Sequence, residues 1–260
     1  MKRGLDRHTL YELCVQSPSH AAMLLRAIHA SSPSVLREDF AGTGAVAREW
    51  IRQIRGGRAI AVDHDKATLA RIGRSTRIRP IVGDVMKAPL VARADAIFVG
   101  NFSIGEIHTR AGLVAYLKKC ASRLARGGIF VCDTYGGQSA FTVGSVRRQH
   151  HAPGGERVTY TWEQREADPL TAMVVNAIHF RADRAGEVVA DIADAFVYHW
   201  RLWSVPELRD AMLEAGLRDA AVYNQLPDAV DSEGNAYVEP VEDPEELGES
   251  FIVCVAARRA

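Results

Sequence analysis

Residues 34–44, Ser34-Val35-Leu36-Arg37-Glu38-Asp39-Phe40-Ala41-Gly42-Thr43-Gly44, set a short apolar approach and two carboxylates directly before a glycine-rich turn, and a helical pattern begins at Ala45. Glycine at such a turn lets the backbone come close to a ligand where a Cβ would collide, and a helix start points free N–H groups at the same spot. A loop of this shape suits a nucleotide cofactor. Acidic residues then recur, each closing an apolar stretch, at Glu38/Asp39, Asp63 and Asp84.

The segments around the loop alternate. Helical patterns over 19–30, 45–54, 65–72 and 109–124 separate apolar strand-like runs at 58–63, 81–84, 96–99 and 129–133. Strands divided by helices imply βαβ units and a parallel sheet, which binds ligands at the carboxyl ends of its strands. After Gly136-Gly137 three strand-like runs follow without a helix, at 160–166, 172–180 and 188–200, so they should be antiparallel. A capping box opens a helix at Ser204-Val205-Pro206-Glu207, and two last strands fall near 219–224 and 251–256. The predicted fold class is a doubly wound α/β domain over 1–260, with a mostly parallel seven-stranded, Rossmann-like sheet and an antiparallel insertion over 155–200.

Composition narrows the function. Basic and acidic side chains balance at 32 each, which argues against a partner held mainly through phosphate neutralisation, so no nucleic acid is expected. Cys14, Cys120, Cys132 and Cys254 show no metal-like spacing and read as reduced thiols, with no metal implied. The charged start, Met1-Lys2-Arg3-Gly4-Leu5-Asp6-Arg7, lacks the apolar stretch of a leader, and no run nears the ~18 apolar residues of a membrane span. The expectation is a cytoplasmic protein without a membrane partner; the oligomeric state is not legible.

Asp63 stands 19 residues after Gly44, where an acid can accept both ribose hydroxyls of an adenosine cofactor. That placement serves NAD and S-adenosylmethionine alike, and Gly42-Thr43-Gly44-Ala45-Val46-Ala47 satisfies the G-x-G-x-x-G/A pattern. Two features favour S-adenosylmethionine. An acid before the loop suits the cofactor's methionine ammonium and would repel a pyrophosphate. Asp84 at the third strand end would face the adenine amino group.

On these residues the chain resembles the class I S-adenosylmethionine-dependent methyltransferases, over roughly 34–134 and 200–257. Glu38 falls at the family's motif acid, Gly42 and Gly44 at its later glycines, and Asp63 and Asp84 at its ribose and adenine acids; Phe40 stands where the first glycine belongs. Leu36–Phe40, Tyr135-Gly136-Gly137 and Tyr198–Trp203 look like a subgroup. The resemblance implies methyl transfer from S-adenosylmethionine to an N or O nucleophile of a small-molecule acceptor. An NAD-dependent oxidoreductase, a protein-directed methyltransferase and a non-catalytic cofactor-binding protein are the alternatives.

The candidate site follows. Glu38, Asp39, Gly42, Gly44, Asp63, Asp84 and Asn101 are expected to bind cofactor. Phe102 and Tyr135 at the fourth and fifth strand ends, Tyr198, Trp200 and Trp203 at the aromatic end of the insertion, and Tyr11 from an N-terminal lid are expected around the acceptor. His108, Glu106 and His151 are candidate proton acceptors, needed only if the acceptor arrives protonated.

Overall fold

Apolar runs that hide both faces of a strand alternate with amphipathic helices along most of the chain. The computed structural model describes residues 5–260; the N-terminal residues 1–4, part of the charged start, lie outside them. Helices α1 (Arg7–Cys14) and α2 (Pro18–His29) lead into β1 (Val35–Asp39), α3 (Ala45–Gln53), β2 (Arg58–Asp63) and α4 (Lys66–Leu69). Next come β3 (Ile78–Val82), β4 (Ala94–Val99), α5 (Arg110–Arg123) and β5 (Leu124–Gly137). Four long strands follow, β6 (Gly144–His151), β7 (Arg157–Asp168), β8 (Met173–Arg184) and β9 (Glu187–Arg201), then α6 (Val205–Glu214) and β10 (Leu217–Asn224). A small hairpin, β11 (Ala229–Val230) with β12 (Ala236–Tyr237), precedes the last strand, β13 (Ser250–Arg259). No helix among the described residues is long and apolar enough to cross a membrane.

Contacts divide the described residues into two compact units. The larger comprises 18–137 and 203–260. Its seven-stranded sheet has the order β10-β13-β5-β4-β1-β2-β3. β1 runs parallel to β2 and β4, as do β2 to β3 and β4 to β5, while β13 is antiparallel to both β5 and β10. Alternate residues serve opposite layers, which is why the central strands read as unbroken apolar runs. Ile60, Val62, Ile97 and Val99 pack with Leu113 and Leu117 of α5 and Leu208 of α6. Ala59, Ala61, Ala96 and Phe98 pack with Leu25 of α2 and Trp50 of α3. This is the doubly wound α/β fold expected.

The smaller unit joins residues 5–17 with 138–202. Its four antiparallel strands pair in sequence order, β6-β7-β8-β9, one more strand than the insertion was predicted to hold. The addition is β6, which lies between Gly137 and the first of the three expected runs and ends at His151. Nearly every β6 residue is exposed, so the strand carries no alternation for a sequence reader to detect. One face packs Val158, Ile178, Phe180 and Ala182 around Leu10 of α1, a helix started by the Asp6 carboxylate, which accepts the His8 and Thr9 N–H groups.

Candidate functional site

The loop after β1 is built from three left-handed residues and one borrowed cap. Phe40, Gly42 and Gly44 have φ of 56°, 52° and 64°. Phe40 thus adopts the backbone conformation that a glycine takes without strain, and its ring packs edge-on to Tyr116 at 6.3 Å. Gly44 begins α3 with no side chain to cap it. Glu38, reaching from the strand, accepts the Ala47 N–H at 2.8 Å instead. Burial pushes the Glu38 carboxyl up to about 8 against the pull of this bond and of Arg48.

Asp63 ends β2 and ties the loop in place. One oxygen accepts the Gly42 N–H at 2.7 Å and the other the Asp65 N–H at 2.8 Å. A Cβ on Gly42 would meet nothing within 4 Å, so there is open room against the loop backbone. Beside it the Thr43 hydroxyl is buried without a hydrogen-bond partner. Just beyond β3, Asp84 accepts the Met86 N–H at 2.8 Å, and its side chain is 47% exposed. Because β1 to β4 are parallel, these acids stand along one edge of the sheet.

The next strand ends complete that edge. Asn101 and Phe102 follow β4 in left-handed conformations. Their N–H groups donate to Asp133 of β5 at 2.8 and 2.7 Å, and the Phe102 ring meets Tyr135 edge-on at 5.0 Å. Glu106 closes a short 3-10 turn, Ser103–Glu106, and is exposed, as is His108. Thr109 caps α5 by accepting the Gly112 N–H. Asp133 escaped the sequence reading as a site residue, although it closes an apolar run just as Asp63 and Asp84 do.

Two expected site residues belong to the core instead. Strand alternation sends Asp39 to the face opposite Glu38, where it is fully buried, bonded to Arg37 at 2.8 Å and to the Tyr116 hydroxyl at 2.9 Å. Burial raises its carboxyl and Arg37 opposes the rise. Trp203, 1% exposed, lies in the hydrophobic layer with Leu113 and Leu208, and its indole N–H donates to the Ile107 carbonyl at 2.9 Å. Both side chains are spent on partners inside the protein.

The remaining expected residues lie in the smaller unit. Tyr198 stacks on Trp200 at 4.2 Å and on Phe196 at 6.2 Å, Trp162 lies 6.1 Å from Trp200, and Tyr11 of α1 meets Phe196 edge-on at 5.0 Å. His151 is exposed on edge strand β6. On the sheet's other face His179 approaches Glu163 at 3.1 Å while its Nδ1 accepts the Asp194 N–H at 3.0 Å. Both ring nitrogens are engaged, so this carboxylate–histidine pair has no nitrogen left to act as a base.

The larger unit's edge therefore fits an adenosine cofactor. It offers open loop backbone at Gly42, an orphan hydroxyl at Thr43, and the acids Glu38, Asp63 and Asp84. Neither a protein-family model nor a curated protein matches the sequence. Solved structures do match. The amino pentose methyltransferase CalS10 of Micromonospora echinaspora, solved with bound S-adenosylmethionine, is 16% identical over 97% of this chain and 96% of its own, with a TM-score of 0.69. The sugar N-methyltransferase KedS8 of Streptoalloteichus is 16% identical over 100% and 94%, TM-score 0.68. DesVI of Streptomyces venezuelae is 19% identical over 94% and 90%, also at 0.68. The chain has the fold of the class I S-adenosylmethionine-dependent methyltransferases.

Proposed function

We propose that this protein transfers a methyl group from S-adenosylmethionine to a nucleophilic nitrogen of a small molecule. The observation that carries the reading is the row of carboxylates at one sheet edge, with Asp63 bonded to the Gly42 backbone of the open loop. The choice of nitrogen is supported by the neighbours, among them a sugar N-methyltransferase and an amino pentose methyltransferase, and an amine on a saccharide is the acceptor class that follows.

S-adenosylmethionine, when bound, supplies an electrophilic methyl on a sulfonium. The chain's residues do the rest. Each Asp63 oxygen already accepts one N–H, and its remaining lone pairs are free for the ribose hydroxyls. Asp84 offers its exposed carboxylate to the adenine amino group. Glu38 answers the methionine ammonium, a charge that draws the buried carboxyl toward its ionised form. Asn101, Phe102 and Tyr135 hold the position of reactants at the fourth and fifth strand ends, so that much of the rate comes from alignment. His108 and Glu106, exposed just past β4, are the groups that take a proton from an acceptor that arrives as an ammonium.

An NAD site would place a pyrophosphate against Glu38, which is unfavourable. Thermal unfolding separates the two readings. A saturating ligand at about 100 times its Kd stabilises by ~2.7 kcal/mol, so S-adenosylhomocysteine should raise the Tm by roughly 5 °C and NAD should leave it unchanged. Stabilisation by NAD alone would overturn the methyltransferase reading. Labelled S-adenosylmethionine with a panel of amino sugars, and their hydroxyl counterparts as controls, then tests the nucleophile.

A further inference from the structure

Asn101 and Phe102 are consecutive non-glycine residues with φ of 55° and 61°. L-residues rarely adopt this conformation in succession, and it persists only where the surroundings over-determine it. Here the surroundings are one side chain and its neighbour. Asp133, 7% exposed on β5, accepts the Asn101 N–H on one oxygen and the Phe102 N–H on the other. Two residues along the same strand face, Tyr135 receives the Phe102 ring. The turn then closes on itself, with Ser103 N–H donating to the Gly100 carbonyl and Gly105 N–H to that of Phe102.

A buried carboxylate is costly, and among the described residues no cation offsets the burial of this one. Burial pushes it up to about 6, opposed only by hydrogen bonds from Phe102, Asn101 and its own backbone. An apolar residue would suit the sheet better. What the carboxylate does in return is hold two N–H groups that a left-handed turn leaves pointing at the sheet.

We propose that Asp133 is a positioning residue for methyl transfer: its carboxylate clamps the Asn101–Phe102 turn at the carboxyl end of β4 and so fixes where Asn101 meets the cofactor. The proposal rests on the methyltransferase reading, with Asn101 as a cofactor contact. Its test is a double-variant cycle read by calorimetry with S-adenosylhomocysteine, plus amide hydrogen exchange without ligand. Asp133→Ala and Asn101→Ala should each weaken binding at least ~5-fold, and the double variant should bind within ~2-fold of Asn101→Ala alone, because Asp133 acts through that residue. Exchange at the Asn101 and Phe102 amides should quicken at least ~10-fold in Asp133→Ala while amides of β2 and β4 stay protected.

Asp133→Asn, which keeps one accepting oxygen, should fall between; if the alanine variant does not fold, it carries both measurements. Additive losses, or unchanged exchange at the two amides, would overturn the role of Asp133 and leave the methyltransferase reading standing. Failure of the unsubstituted protein to bind S-adenosylhomocysteine would instead overturn that reading, and this role with it.

Discussion

Asp63 shows how one side chain can serve the fold and the ligand together. Its two oxygens hold Gly42 and Asp65, linking the loop after β1 to the start of α4. Hydrogen bonds to a charged acceptor are worth ~1.5–3 kcal/mol each, so Asp63→Ala should weaken S-adenosylhomocysteine binding at least ~10-fold and also lower the Tm without ligand. A lowered Tm with unchanged affinity in calorimetry would leave Asp63 as a loop anchor only. The acid itself was legible in the sequence; its backbone bonds were not, because they depend on a left-handed turn. Phe40 makes the same point, since side-chain type gave no hint that it keeps a glycine-like φ. Between neighbours Glu38 and Asp39, strand alternation assigned one to the loop and the other to the core, a choice the sequence leaves open until the strand's facing is known.

Helix α3 meets the rest of its unit at Gly44, the joint where glycine is required twice over. Its φ is 64°, and a Cβ there would stand 2.6 Å from Cγ1 of Ile72, in the short 3-10 turn after α4. Left-handed strain of ~1–2 kcal/mol combines with an overpacking cost of ~1–3 kcal/mol. Gly44→Ala should therefore lower the Tm by roughly 5 °C or more, whereas Gly42→Ala, with nothing near its Cβ, should pay the backbone strain alone. Equal losses in the two variants would show that the Ile72 contact yields. Elements of this kind, with strong apolar periodicity and a glycine stop, were readable to within a few residues. Strand β6 was not, because an edge strand exposed along its length pairs through backbone bonds that any sequence can make. The stripe Tyr198–Trp203 was read as one wall, yet the chain passes between units there: Trp200 belongs to the smaller unit, and Trp203 enters the core of the larger.

Across the whole molecule the 32 acids and 32 bases cancel, so the pH dependence of stability near neutrality comes from a few buried carboxyls rather than from net charge. Burial pushes Glu38 up to about 8 and Asp133 up to about 6. A carboxyl whose pKa is higher folded than unfolded binds its proton more tightly in the folded state. Its contribution is full below the ordinary value of ~4 and is lost as pH rises through the folded value. Glu49, held down to about 2 by Arg52, works the opposite way and only at lower pH. The protein without ligand should therefore be more stable at pH 5 than at pH 8.5, losing stability from ~4 to 6 through Asp133 and on to 8 through Glu38. Glu38→Gln keeps an oxygen for the Ala47 N–H and carries no charge, so it should flatten the upper part of that fall and raise the Tm at pH 8.5 by at least ~4 °C. The cofactor's ammonium reverses the balance, since it favours the ionised carboxyl. Binding should then release a proton from Glu38, and S-adenosylhomocysteine affinity should strengthen from pH 6 toward pH 8 in the unsubstituted protein but not in Glu38→Gln. Calorimetry in buffers of different ionisation enthalpy measures that proton directly. If no proton is released at pH 7, or the glutamine variant keeps the same pH profile, Glu38 is the cap of α3 and nothing more.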